Sequence, residues 1–207
     1  VTTYSVATGA VHRWSSLDLY VQGWSADEKY WIGVSLIGDV SKVVWHPVTG
    51  RGVESSVTLP PHALADPKSV VGDGPGRAMI VDYDSSTDRL SCVYVAAGRG
   101  IVKTSSIKLP NQSTVVSAEP SPDHSHILWS AYITYPDLWL LMTARARTIA
   151  AIWDVQSSRR TFLGSSERGA SDAYFGDSYT PGLSLRWLPD GKHISFIVDE
   201  KLYSRPV

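Results

Sequence analysis

Cysteine is almost missing from this chain. The single thiol, Cys92, has no partner for an internal disulfide, so thiols say nothing about redox compartment. It sits in an apolar strand pattern and reads as core. Net charge is nearly absent too: 19 Lys and Arg against 20 Asp and Glu leave −1, which excludes non-specific binding to DNA, RNA or an acidic membrane surface. No apolar run reaches the length of a membrane-spanning helix. No signal peptide is recognisable. The chain opens at Val1 rather than Met, as a fragment or processed form would, so that lack does not decide the compartment.

Catalytic and cofactor motifs are also wanting. Gly72-Asp73-Gly74-Pro75-Gly76 has the glycines of a phosphate cradle but not its Gly-Lys-Ser/Thr ending, and reads as a loop. Asp82-Tyr83-Asp84-Ser85-Ser86-Thr87-Asp88 opens like a calcium loop. The required Gly would fall on Thr87 and the closing Glu on Val93, so it reads as a hairpin turn. His124 and His126 stand two apart with no third ligand in view. Gly182-Leu183-Ser184-Leu185-Arg186 lacks the last Gly of a nucleophile elbow and leads into a strand. No carboxylate pair stands out from ordinary turn acids. The expectation is a chain without cofactor or metal. Asn111-Gln112-Ser113 fits a glycosylation acceptor, which matters only in a protein secreted by a eukaryote.

What is present is a repeated hairpin. The chain has 207 residues, of which 43% are hydrophobic and 19% charged, enough to bury a core. Its 8 Trp and 10 Tyr against 3 Phe suit half-buried strands and binding surfaces. Residues 185–197, Leu-Arg-Trp-Leu-Pro-Asp-Gly-Lys-His-Ile-Ser-Phe-Ile, read as strand, tight polar turn, strand. Residues 23–34 and 119–129 share that grammar, with the turn acid at Asp27 and Asp123. A second hairpin type alternates with it, at 3–14, 41–53 and 152–162. In the first two of these a Thr-Gly turn supplies a residue that tolerates positive φ. Lettering the strands a to d, one four-strand set spans 18–58, a second 77–109 and a third 113–164. A fourth is assembled from 183–207 plus 2–16, one terminus completing the other.

Four antiparallel strands recurring every forty or so residues predict an all-β fold, a β-propeller of about four blades, either a small ring or an arc of a larger propeller. The phrase Trp187-Leu188-Pro189-Asp190-Gly191-Lys192 followed by Ile194-Ser195-Phe196, and then Leu202-Tyr203-Ser204-Arg205-Pro206, resembles the WD-repeat-like β-propellers, in particular their TolB-type repeats. The likeness weakens at 23–34 and 119–129, where Glu28 and His124 replace the Gly after the turn acid. It is faint at 78–94. The resemblance implies a fold without a residue-level active site, and an extracytoplasmic compartment. The same phrase occurs in the propellers of prolyl oligopeptidase-like enzymes, so it speaks to fold rather than activity.

Propeller geometry turns loop length into a functional expectation. Connections d–a and b–c emerge at one end of the strands, turns a–b and c–d at the other. The long irregular segments, 60–76, 136–147 and 166–181, all fall at the first end, which is therefore the expected binding face. Aromatic and Arg side chains concentrate binding energy at interfaces. The expected contact residues are Trp139, Arg145, Arg168, Tyr174, Phe175 and Tyr179. Segment 137–147 reads either as a short docking helix or as a plain extension of the sheet. The leading functional reading is a non-catalytic module that binds a protein or peptide. Two others stay open: the propeller of a hydrolase whose catalytic domain lies outside this chain, and a carbohydrate-binding or sensor propeller.

Overall fold

The computed structural model describes residues 2–4, 11–13, 19–25, 27–48, 54–73, 76–111, 113–136, 144–168, 185–198 and 201–207. Among them every regular element is a strand, and every sheet is antiparallel. β1 (Thr2–Tyr4) and β2 (Val11–Arg13) form a two-stranded sheet. β3 (Leu19–Trp24), β4 (Tyr30–Ile37), β5 (Val40–Pro47) and β6 (Ser55–Thr58) form a four-stranded meander. A second comprises β7 (Pro67–Gly72), β8 (Arg77–Asp84), β9 (Arg89–Ala96) and β10 (Gly100–Lys108). β11 (Ser113–Pro120), β12 (His126–Pro136), β13 (Ala144–Asp154) and β14 (Arg160–Arg168) make the third. β15 (Arg186–Trp187), β16 (His193–Val198) and β17 (Lys201–Pro206) make a three-stranded sheet. The fold is that of a β-propeller of about four blades. The residues expected to form one blade from both termini fall in two separate sheets, β15–β17 and β1–β2.

The second blade corrects the sequence reading. Segment 60–76 was expected to be irregular, yet Pro67–Gly72 is a strand, and it is the first of its sheet. Pro67 opens that strand, where a proline's missing N–H is tolerated. The turn at 85–88 therefore joins the second and third strands, not the first and second. A shared irregularity marks the first strands as equivalent. β3, β7 and β11 each skip one residue of register near their start, at Tyr20, Lys68 and Val116. Such a bulge turns its extra residue out of the ladder and sharpens the local twist.

By contacts the chain divides into two compact units. The first holds Val1–Asp84 and Ser91–Ser105; the second holds Ser85–Leu90 and Ser106–Val207. In the first unit β4 and β5 are buried almost continuously rather than on alternate residues, as strands covered on both faces are. Ile32, Val34, Val43, Trp45, Val70, Ile80, Val93 and Val95 form its core with Leu59 and Leu64 from the connection after β6. Each such side chain contributes about 1.5–3 kcal/mol by leaving water. The buried Asp82 carboxylate accepts the amides of Ala65 (3.0 Å) and Asp66 (2.9 Å), so it fastens that connection to β8. Burial pushes the Asp82 carboxyl up, against the two amides that pull it down.

β3 and β7 run side by side in the same unit, with a parallel bridge from Ser25 to Gly72. Their approach leaves no room for side chains. A Cβ on Gly23 would overlap the Val70 carbonyl oxygen, and one on Gly72 would stand 2.5 Å from Ser25 Cα. In the second unit Trp187 packs with Leu128, Ile152 and Ile194, with Leu163 and Leu185 against them. Its indole N–H donates to the Glu119 carbonyl at 3.0 Å, tying β15 to β11.

Candidate functional site

Three hairpins share one turn. Ser25, Ser121 and Leu188 each donate a backbone N–H to the carbonyl five residues on, at 2.9, 2.8 and 2.9 Å. Each of their carbonyls accepts the amide three residues on, from Glu28, His124 and Gly191. Those three residues all have positive φ, at 55°, 59° and 64°. Glu28 and His124 therefore keep the backbone of the Asp-Gly turn, and the apparent departures in sequence are not departures in structure. The turn acid closes each loop: Asp27, Asp123 and Asp190 accept the amides of Lys29, Ser125 and Lys192. The third residue past each acid begins the second strand; it is Tyr30, His126 and His193.

Two of these turns, with the turn after β13, border a cleft in the second unit of about 610 Å³. Its lining includes His126, Asp154, Arg159, Lys192 and His193, with Ile152, Thr161 and Pro206 as less polar wall. Neither Arg159 nor Lys192 has its head group in a hydrogen bond or ion pair among the described residues. Both imidazoles are held through Nδ1. His193 Nδ1 lies 2.6 Å from Asp190 Oδ2. His126 Nδ1 lies 2.6 Å from Ser125 Oγ, which gives its own proton to Asp123 at 2.8 Å. These partners assign the Nδ1 proton in each neutral ring and leave Nε2 with the lone pair.

The acids of the cleft are already spoken for. Asp154 accepts the amides of Gln156 (2.9 Å) and Ser157 (3.0 Å), and the Ser157 contact leads in holding its carboxyl below the ordinary range. The Lys192 amide does the same for Asp190. Asp123 is held at about 2, first by the Ser121 hydroxyl. Each of these carboxylates is thus engaged by its own turn, while Arg159 and Lys192 border the open space. Among the described residues no three His, Cys, Asp or Glu side chains group as a metal site, and no helix is long and apolar enough to cross a membrane. Burial pushes the Cys92 thiol up to about 12, which makes it a poor nucleophile.

Trp139, Tyr174, Phe175 and Tyr179 lie outside the described residues. Arg145 is in β13, opposite Tyr135, so the expected segment 137–147 is sheet rather than helix from Ala144 on. Arg168 is the last residue of β14, opposite Ala146, rather than part of a loop. The cleft itself was missed, although the sequence held a signal for it. Asp123-x-x-His126 and Asp190-x-x-His193 place an imidazole at the same point of two equivalent hairpins.

No protein-family model matches the sequence, and no curated protein does. Solved structures do match. A hydrazine synthase chain from Kuenenia stuttgartiensis is similar at TM-score 0.50 and 11% identity, over 94% of this chain and 66% of that one. A periplasmic gluconolactonase from Pseudomonas aeruginosa gives 0.45 and 11%, over 99% and 71%. The Swd1 β-propeller domain of Myceliophteria thermophila gives 0.35 and 12%, over 100% and 90%. The chain thus spans just under two thirds of the hydrazine synthase chain it matches. At this identity the likeness is one of fold and nothing finer.

Proposed function

We propose that this chain is a non-catalytic β-propeller interaction module that captures a protein or peptide. The contact is made at the end of the sheets that carries the connections 137–143 and 169–184. One observation supports this reading above others. β12 and β13 have 11 residues each, against 8 in β4, β5, β8 and β9. Three extra residues lengthen that hairpin by about 10 Å. The backbone positions of Arg145 and Arg168 fall on neighbouring strands at its far end. A lengthened hairpin with arginine in its sequence, next in sequence to segments rich in Trp, Tyr and Phe, is suited to docking a partner. The TolB-type resemblance supports an extracytoplasmic setting for that partner.

The test replaces Tyr174, Phe175 and Tyr179 together with Ala. The variant is expected to lose partner capture in a pull-down while its thermal midpoint stays within about 2 °C of the parent. Undiminished capture would remove the face from consideration.

A further inference from the structure

We propose that the cleft of the second unit is a separate oxyanion-binding site, which receives a carboxylate or phosphoryl group of a ligand. The proposal goes beyond the lengthened hairpin and stands without it. Three observations carry it. First, Arg159, Lys192, His126 and His193 all border one space. The Arg159 and Lys192 head groups have no internal partner among the described residues. Second, the neighbouring acids, Asp154 of the lining among them, already have partners. Asp154, Asp190 and Asp123 are each held by backbone amides of their own turns. Third, the two imidazoles are oriented rather than free, each fixed through Nδ1 by a carboxylate, directly or through Ser125. Orientation of this kind cuts the entropy a ligand must overcome.

The chemistry balances simply. Arg159 offers a planar fork of N–H donors that matches two oxygens of a carboxylate or phosphoryl group. Lys192 adds a point charge. The two rings, each held through Nδ1, complete the polar wall. Binding is reversible, and no bond in the ligand is made or broken. The groups facing His126 are Asp123 from its own turn and Asp154 from β13, with the Trp187 ring beside it. Asp190 faces His193, and Lys192 and Arg159 share the cleft with it.

The test is calorimetric titration of the whole chain with three probes: inorganic phosphate, a capped tetraglutamate peptide and its tetraglutamine counterpart. Phosphate or tetraglutamate is expected to bind saturably. A phosphate-only response marks a phosphoryl site, and a tetraglutamate-only response a carboxylate site; both are oxyanions. Arg159→Gln is expected to weaken binding about tenfold, the scale of one charge-assisted hydrogen bond. The Tyr174, Phe175 and Tyr179 triple Ala variant is expected to leave it unchanged, which separates this site from the lengthened hairpin. Failure of both anions to bind, equal binding of tetraglutamine, or an Arg159→Gln variant that binds as the parent does would overturn the assignment.

Discussion

Replacing Trp187 with Ala removes a side chain from a small apolar cluster of the second unit. The indole is 8% exposed and packs among Leu128, Ile152 and Ile194, and its N–H donates to the Glu119 carbonyl at 3.0 Å. A buried Trp withdraws about 150–250 Å² from water, which at about 25 cal/mol per Å² is an upper limit of roughly 4–6 kcal/mol. Truncations of Trp in packed cores cost about 3–5 kcal/mol. The expected loss is therefore about 4 kcal/mol, of which roughly 1 kcal/mol is the hydrogen bond. Urea denaturation followed by circular dichroism measures it as a shift in midpoint at unchanged slope. Trp187→Phe keeps an apolar ring without the N–H donor and is expected to cost only about 1–2 kcal/mol. A loss below about 1 kcal/mol for Trp187→Ala would mean that the ring is not packed as described. Equal losses for Ala and Phe would mean that the hydrogen bond, not packing, dominates.

Other outcomes follow from the turns and the seam. Glu28→Gly relieves a side chain at a φ of 55° and is expected to raise stability by about 0.5–1 kcal/mol, seen as a higher thermal midpoint. Gly191→Ala, at a φ of 64°, is expected to lower it by about 1 kcal/mol. Asp123 is held at about 2 in the folded chain, below its ordinary value near 3.9 when unfolded. Its contribution is full above pH 4 and is lost as the pH falls toward 2. At its partial exposure that contribution is about 1 kcal/mol after solvent screening. Acid titration of Asp123→Asn against the parent reads it as a shallower stability loss across that window. Gly23→Ala drives a methyl into the Val70 carbonyl and is expected to cost about 3 kcal/mol or more in a urea melt.

The strands that announced themselves in the sequence did so through their turns. Asp27, Asp123 and Asp190 head hairpins whose backbone hydrogen bonds are the same, and all three were visible as polar punctuation between apolar runs. β7 escaped because Pro67 opens it and Gly72 closes it, two residues that read as loop. Its Val70 and Val71 supply too short an apolar run to outweigh them. Only the register skip at Lys68, aligned with those at Tyr20 and Val116, marks β7 as a first strand, and that skip is a property of pairing. The cleft was illegible for a related reason. His126 and His193 are 67 positions apart in sequence, and packing of β15 onto β11 through Trp187 brings their sheets together. Loop length directed attention to aromatic residues 174–179, whereas the short turns at the opposite end of the strands frame the charged space.

The seam between β3 and β7 has a further meaning for the first unit. Where two main chains touch with only hydrogen atoms between them, neither position can be varied to open a passage, because every replacement adds bulk and none subtracts it. Sequence drift can therefore recolour the outer strands of these two sheets while the line along which they meet stays shut. Any molecule recruited near β3 and β7 must be met elsewhere than along that line.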